Sequence, residues 1–495
     1  MRAGPAALLC SGLLLVASSA HANGAFPSSG QVLVDPTDPS TIWVRTSYGF
    51  AKSSDAGATF HLICEEAIGY SSGYHPHAAL SHTGAIFMGL SDGLAIGRGD
   101  TCAFDRAPDL EGNFVVDVSM GLDGRAIALA IPPNGERPRV YASTDDLATW
   151  SQLGDVLPDK VVPLTLDAAP SDPNVIYVSA YAEGDKPLGL VITSTDGGQT
   201  WTSAIVPNSD AKVSPFIGGI DPLAPERLFV RINSVPGRLL LSEDYGATFE
   251  VVASLANGRL HAFRLSDDGA YALYGGNFDG LHELDTTTFA TEPRAAIAAR
   301  CVTFADGRIF ACGEEATDGF TAGVSEDGAA TFTPLLENRC IEGILPCASG
   351  APVHDLCEPG WPMIKELIGA TGDCDASGGG SQGGAPATGG QSQGGAPAAT
   401  GGASNAGGGG AGGSGGAPAD GDGGGCACTL APGAPTSEWS SAIAALAAIA
   451  LLGHRKNNAR HAPQTTSRSH HGCRRRSRAC AGLASRGARR STRPL

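Results

Sequence analysis

The sequence predicts an all-β fold, a seven-bladed β-propeller, and three observations carry that prediction. A short motif built on Ser-x-Asp and a following aromatic recurs along the chain. Its copies fall at nearly even spacing once two worn copies are recognised. Between them lie short apolar runs punctuated by Pro, Asp and Gly, with helical periodicity nearly absent between residues 30 and 335.

The copies are SSDAGATF (53–60), STDDLATW (143–150), STDGGQTW (194–201), SEDYGATF (242–249) and SEDGAATF (325–332). Ending each unit on its aromatic gives Phe60, Trp150, Trp201, Phe249 and Phe332. The two long gaps hold degenerate units, SHTGAIFMGLSDGLAIGRGDTCAF ending at Phe104 and SDDGAYALYGGNFDGLHELDTTTF ending at Phe289. The seven aromatics then stand 40 to 51 residues apart.

Each unit follows one plan. An apolar run ends in a turn such as DPTDPST (35–41), APSDPNV (169–175) or DPLAPER (221–227). A β-rich run follows, as in IWV (42–44), IYV (176–178), LFV (228–230) and IFA (309–311). A third run leads into the Ser-x-Asp turn, and a fourth follows the aromatic. Four short strands per unit make a propeller blade. A pair of β-sandwiches would leave seven similar units unexplained.

Within the motif, an aspartate with glycine two residues later suits a tight turn. Its carboxylate accepts bonds from nearby backbone N–H groups, and glycine supplies positive φ. Asp55, Asp145, Asp196, Asp244 and Asp327 therefore read as turn formers. The aromatics read as wedges that each bury about 150–250 Å² between sheets. Catalysis would need one such acid at one place, and a calcium loop would need several alternating oxygen ligands. Five copies spread round a ring are scaffold.

The pattern S-x-D-x-G-x-T-W/F resembles the Asp-box (BNR) repeat of sialidases, sortilin-type receptors and related β-propellers, over about residues 30–335. The resemblance implies a hairpin between the third and fourth strands of each blade. Leu147 and Ala329 stand where the repeat has glycine, so altered turns are expected there. Sialidases of this kind clamp a carboxylate with three arginines and carry an R-I-P or R-L-P tripeptide. This sequence lacks that tripeptide, and its candidates Arg45, Arg231, Arg264 and Arg300 are isolated. The segment WVRTSYGFAKSSDAGATF (43–60) resembles the first blade of xyloglucan-cleaving glucanases, yet Ser47 stands where those enzymes carry an aspartate. A second propeller is also missing, while a glycosidase needs two carboxyls at a controlled separation.

Asp167, Asp221 and Asp279 remain as acids that could line a channel. Of the histidines His75, His77 and His82, the first two have the spacing of one strand face and could grip a metal. The sequence supplies no clear third ligand, and a solvated histidine cluster is the plainer reading. No catalytic residue, cofactor or metal site is assigned.

The remaining elements bear on location. Residues 1–22 read as a signal peptide, with an apolar run from Ala6 to Val16 and an A-x-A pattern at Ala20-His21-Ala22. The propeller is expected over 23–337 and a Cys-rich cap over 338–376. A disordered Gly/Ala/Ser-rich stalk follows over 377–425, then a sorting or membrane segment with a short hydrophobic helix over 426–460 and a basic disordered tail over 461–495. Gly-Cys followed by a short apolar helix and arginines resembles a myxobacterial C-terminal sorting signal, which implies Cys426 as the processing or lipid-attachment position.

Cys64, Cys102, Cys301, Cys312, Cys340, Cys347, Cys357 and Cys374 form an even set without C-x-x-C spacing, which reads as disulfides. Pairing of Cys64 with Cys102 and of Cys301 with Cys312 is the expectation. The chain holds 33 basic and 50 acidic residues. Setting aside Arg2 and the 12 bases from Arg455 to Arg493 leaves 20 bases, so the body is near -30. That charge repels phosphate backbones and excludes nucleic acid as its partner. The expected function is non-enzymatic binding of an extracellular protein or glycan, with membrane contact through the C-terminal segment. The alternative is a secreted glycan hydrolase with channel carboxylates.

Overall fold

The computed structural model describes residues 27–71, 74–372 and 374. The signal peptide, stalk, sorting segment with Cys426, and basic tail lie outside the described residues. The described chain is a seven-bladed β-propeller, with blades over 29–63, 78–106, 114–152, 161–205, 215–255, 262–295 and 301–336. Each is an antiparallel sheet of four strands in sequence order. The first strands of successive blades touch one another round the ring and enclose the channel.

Alternation along each strand builds the core, because successive side chains face opposite sheet surfaces. In the second strand of blade 1, Ile42–Thr46, Ile42 and Val44 face blade 7 while Trp43 faces blade 2. Seven apolar clusters result, one between every pair of neighbouring blades. The seven unit-ending aromatics sort with complete regularity. Phe60, Phe104, Trp150, Trp201, Phe249, Phe289 and Phe332 each pack between their own blade and the preceding one.

Many propellers close by borrowing a strand from the other terminus. Here every blade uses only its own consecutive strands, so closure comes from elsewhere. After blade 7 the chain crosses to blade 1, where Ile341–Ile344 adds a fifth, parallel strand to the outer edge strand Phe60–Ile63. Leu345 N–H extends the ladder to Leu62 O at 2.8 Å. The helix Pro352–Cys357 then sits against blades 1 and 2, and Val353 N–H reaches Cys102 O at 3.1 Å.

Disulfides fix this clasp. The expected Cys64–Cys102 bond is not formed: Cys64 pairs with Cys357 and Cys102 with Cys347. The clasp lies over blades 1 and 2 and supplies nearer partners for both cysteines. Cys301–Cys312 staples the first hairpin of blade 7, as the sequence suggested, and Cys340–Cys374 closes the clasp on itself. Among the described residues no helix is long and apolar enough to cross a membrane.

Candidate functional site

Antiparallel strand order sorts the connections between two faces. Turns joining strands 1–2 and 3–4 lie on one face, while 2–3 turns and the 4–1 passages between blades lie on the other. The Ser-x-Asp turns are 3–4 connections and occupy the first of these. In the turn after Ser194, the Asp196 carboxylate accepts bonds from Thr200 N–H at 2.9 Å and Thr200 Oγ1 at 2.7 Å. Ser194 Oγ donates to Asp196 at 2.8 Å and accepts from Gly198 N–H at 2.8 Å.

Asp55, Asp145, Asp244 and Asp327 repeat this network. The hydrogen bonds hold the Asp145 and Asp327 carboxyls down at about 2. The altered turns expected at Leu147 and Ala329 are not found. Both residues adopt left-handed φ, 68° and 67°, and still donate to Ser143 Oγ and Ser325 Oγ at 3.1 and 3.0 Å. The serine and aspartate bonds outweigh the roughly 1–2 kcal/mol cost of that backbone for a side-chain-bearing residue.

The opposite face gathers a different set of groups. Arg45 and Arg231 are the fourth residues of the second strands of blades 1 and 5, in IWVRT and LFVRI. Each reaches over the passage entering the next blade: Arg45 Nη1 donates to His75 O at 2.8 Å and Arg231 Nη1 to Leu260 O at 3.3 Å. Each passage ends in a histidine, His77 or His261, directly before the first strand of that blade. Two equivalent Arg–His pairs therefore stand at the channel mouth, four blades apart along the chain.

They act on one another and on a buried acid. Asp117, in the first strand of blade 3, contacts His77 Nδ1 at 3.3 Å and accepts from Val118 and Leu166 N–H at 2.9 and 2.8 Å. Burial raises the Asp117 carboxyl to about 7, against the pull of those bonds and of Arg231. Burial and the Arg45 charge lower His77 to about 3 and His75 to about 4; burial and Arg231 lower His261 to about 4. The His77 side chain keeps 39% of its surface open to the channel, but the surrounding blades leave little water to solvate its charged form. Arg231 is lowered to about 10 by burial, stacks over Phe216 at 5.3 Å, and remains cationic at neutral pH.

The other sequence candidates separate. Arg300 pairs with Glu314 at the same mouth, and Arg264 lies further down the channel, where its charge reaches Asp167. Asp167 accepts from Ser119 Oγ at 2.8 Å, and burial raises its carboxyl. Asp221 instead binds Arg227 at 2.7 Å in a 1–2 turn, and Asp279 accepts from Asn257 N–H at 3.0 Å in the loops. His82 leaves the other histidines and meets Gly121 O at 3.0 Å on the Ser-x-Asp face. Among the described residues no three His, Cys, Asp or Glu side chains are grouped to hold a metal. Ser47 Oγ accepts from Ser28 N–H at 3.0 Å, a backbone-bracing role.

Asp117 escaped the sequence reading, although a lone acid inside the apolar run FVVDVSM marks it. The likeness of IWVR to LFVR was the available signal for pairing Arg45 with Arg231. Two shallow grooves of about 370 and 320 Å³ lie elsewhere, between blades 2 and 3 and between blades 4 and 5, each beside a Ser-x-Asp turn. The first groove holds charged groups of blades 2 and 3, among them the Arg98–Asp146 pair, whereas the mouth draws titratable groups from blades 1, 2, 3, 5 and 6.

No family model and no curated protein matches the sequence. Among solved structures, an ancestral GH74 enzyme is 16% identical, with 60% of this chain and 43% of that chain covered and a TM-score of 0.45. The extracellular domain of a putative hybrid two-component system from B. thetaiotaomicron is 14% identical, with 58% and 37% covered and a TM-score of 0.42. YCF48 from Cyanidioschyzon merolae is 12% identical, with 58% and 92% covered and a TM-score of 0.40. The chain spans less than half the length of the first two. These are likenesses of fold alone.

Proposed function

We propose that this chain is an exported, surface-held Asp-box propeller that binds an extracellular glycan or protein without catalysis. The observation that carries the reading is the pair of equivalent Arg–His arrangements at one channel mouth, Arg45 with His77 and Arg231 with His261. Ligands are commonly held where loops meet a rigid scaffold, and here the blades supply the rigidity. Four disulfides fit folding in an oxidising compartment outside the cytosol. The Gly-rich stalk and the segment around Cys426 fit display on a surface.

Binding of the full chain to an array of extracellular polysaccharides and peptides tests this reading. A retained ligand that is lost in R231Q supports it, and a ligand indifferent to that change removes the mouth from the account.

A second reading has one observation in its favour. Asp117 and Asp167, on neighbouring blades, both have carboxyl pKa values raised by burial, and the Asp167 charge raises Asp117 further, as in an acid pair of a hydrolase. Both are tied to the protein, however: Asp117 to two backbone N–H groups and Asp167 to Ala168 N–H and Ser119 Oγ. Release of reducing ends from a retained polysaccharide, abolished in D167N, would establish hydrolysis.

A further inference from the structure

We infer that the junction between blades 4 and 5 is a second binding site, a notch that receives one leucine-type side chain from an extended, basic peptide segment of a partner. The site stands apart from the mouth, and neither depends on the other.

The notch traces to a single position in the repeat. Alternation along the outer strand turns the third residue after each unit-ending aromatic toward the following blade. Blades 1, 3, 5 and 7 place Ile63, Leu153, Val252 and Leu335 there, each packed into the next junction. Leu335 lies against Gly57 of the Ser-x-Asp turn in blade 1, and Leu153 against Gly198 of the turn in blade 4. Blades 2, 4 and 6 carry Ala107, Ala204 and Glu292 instead.

In two of these three junctions the turn of the next blade supplies bulk, because Leu147 and Ala329 stand in place of its glycine and are buried there. Between blades 4 and 5 the turn keeps Gly246, and both sources of bulk are missing together. The result is the groove of about 320 Å³ lined by Ala204, Thr193, Tyr245 and Ala247. The groove between blades 2 and 3 differs, since Leu147 is already part of its wall with Arg98, Asp105, Arg106 and Asp146.

Blade 1 shows how a junction is filled by a strand from outside the blade. The clasp strand Ile341–Ile344 lies along the outer strand Phe60–Ile63, and its Ile344 packs into the junction with blade 2. The outer strand of blade 4, Thr202–Ile205, offers an equivalent edge. Among the described residues that edge is unpaired, and Thr202, Ser203 and Ile205 are exposed. A peptide added there has its backbone groups satisfied and directs every second side chain at blade 5.

Charge narrows the partner further. Asp244 lines the notch, and the exposed Glu243 and Glu250 flank its turn, so lysine or arginine beside the aliphatic residue suits the rim. A second copy is the poorer occupant, because two bodies each near -30 repel one another. A saccharide uses neither a backbone ladder nor an aliphatic notch. Tyr245, 41% exposed, gives the incoming side chain an aromatic wall.

The test is fluorescence-anisotropy titration of the full chain with three capped, labelled octapeptides. One alternates threonine and valine around a central leucine and carries lysine at both ends. The second has alanine for the leucine, and the third has glutamate for both lysines. The leucine probe is expected to bind, with the alanine probe about tenfold weaker or worse. The glutamate probe should also bind more weakly, by a margin that shrinks with added salt. A204L supplies the missing leucine from within, as Leu153 and Leu335 do in their junctions, and should abolish the preference for leucine at an unchanged or raised unfolding midpoint. Hydrogen exchange of the complex should show protection at Thr202–Ile205.

Equal binding of the leucine and alanine probes, a leucine preference that survives in A204L, or no binding at millimolar concentration overturns the proposal. An A204L chain that fails to fold overturns it as well, since the space would then be too small for a leucine. Self-association of the chain that A204L removes would put a second copy in the notch and overturn the partner peptide. Protection at 74–78 and 256–261 in place of 202–205 would seat the peptide at the mouth, overturning the notch and leaving the mouth as a ligand site.

Discussion

Cys64 and Cys357 are joined across 293 residues of sequence, the first at the end of the outer strand of blade 1 and the second at the end of a helix beyond blade 7. With Cys102–Cys347, which spans 245 residues, this bond fastens the clasp that closes the ring. A propeller without strand exchange has its weakest seam between blades 7 and 1. The clasp moves closure from that seam to the outer edge of blade 1.

Removing the bond should therefore loosen the whole ring. The C64S/C357S variant is expected to lose about 2–5 kcal/mol of stability, the usual effect of losing a native long-loop disulfide. Urea unfolding followed by tryptophan fluorescence measures it. Loss confined to the Ile341–Ile344 strand, with the blades unchanged, would show that the seam holds by itself.

The serine of each Ser-x-Asp turn should matter more than its exposure suggests. Ser242 is 1% exposed, and its hydroxyl both donates to Asp244 and accepts from Gly246 N–H, each at 2.8 Å. S242A leaves that N–H without a partner and is expected to cost about 1–3 kcal/mol. Thermal unfolding of the variant gives the value.

Ala329 carries the opposite expectation. Its backbone is left-handed at φ 67°, where glycine is unstrained and alanine is not. A329G should be neutral to stabilising by up to about 1 kcal/mol, since only one methyl is lost from the core between blades 6 and 7. A clear loss of stability would mean that packing outweighs strain at this turn.

Acidification should destabilise the fold chiefly below pH 4. His75, His77 and His261 have folded values of about 4, 3 and 4, below the ordinary 6.5. Their contribution is present above 6.5 and is lost as pH falls through those folded values. Asp117 and Glu65, both raised to about 7, act the other way: their contribution is present below the ordinary carboxylate range and is lost as pH rises through 7. Asp167, raised by burial, acts with those two carboxyls, so three groups stand against three and little net change is expected between pH 6.5 and 4. The fall comes between about 4 and 2, as Asp145 and Asp327 are protonated. Urea midpoints from pH 2 to 8 trace it, and a midpoint that holds down to pH 2 would contradict it.

The seven blades were legible because turn chemistry repeats. Ser194, Asp196, Thr200 and Trp201 are copied with enough fidelity in other units to set a spacing, and the aromatics alone mark the two worn units at Phe104 and Phe289. Ring closure was not legible. Nothing in the spacing of Cys64 and Cys102 reveals that a strand from beyond residue 340 would lie beside them. The mouth was half legible. Arg45 and Arg231 read as isolated arginines and His75 with His77 as a local histidine cluster, whereas their convergence depends on the ring bringing blades 1, 2, 3, 5 and 6 to one opening. Strands with similar local sequence carry no record of which blades face each other.

The most direct test of the mouth as the ligand site is hydrogen–deuterium exchange of the full chain, with and without the polysaccharide or peptide retained on the array. The account predicts protection in residues 74–78, 228–236 and 256–261, with the Ser-x-Asp turns unchanged. Protection at those turns, or along the exposed helix Trp361–Ile368, with none at the mouth, would contradict it.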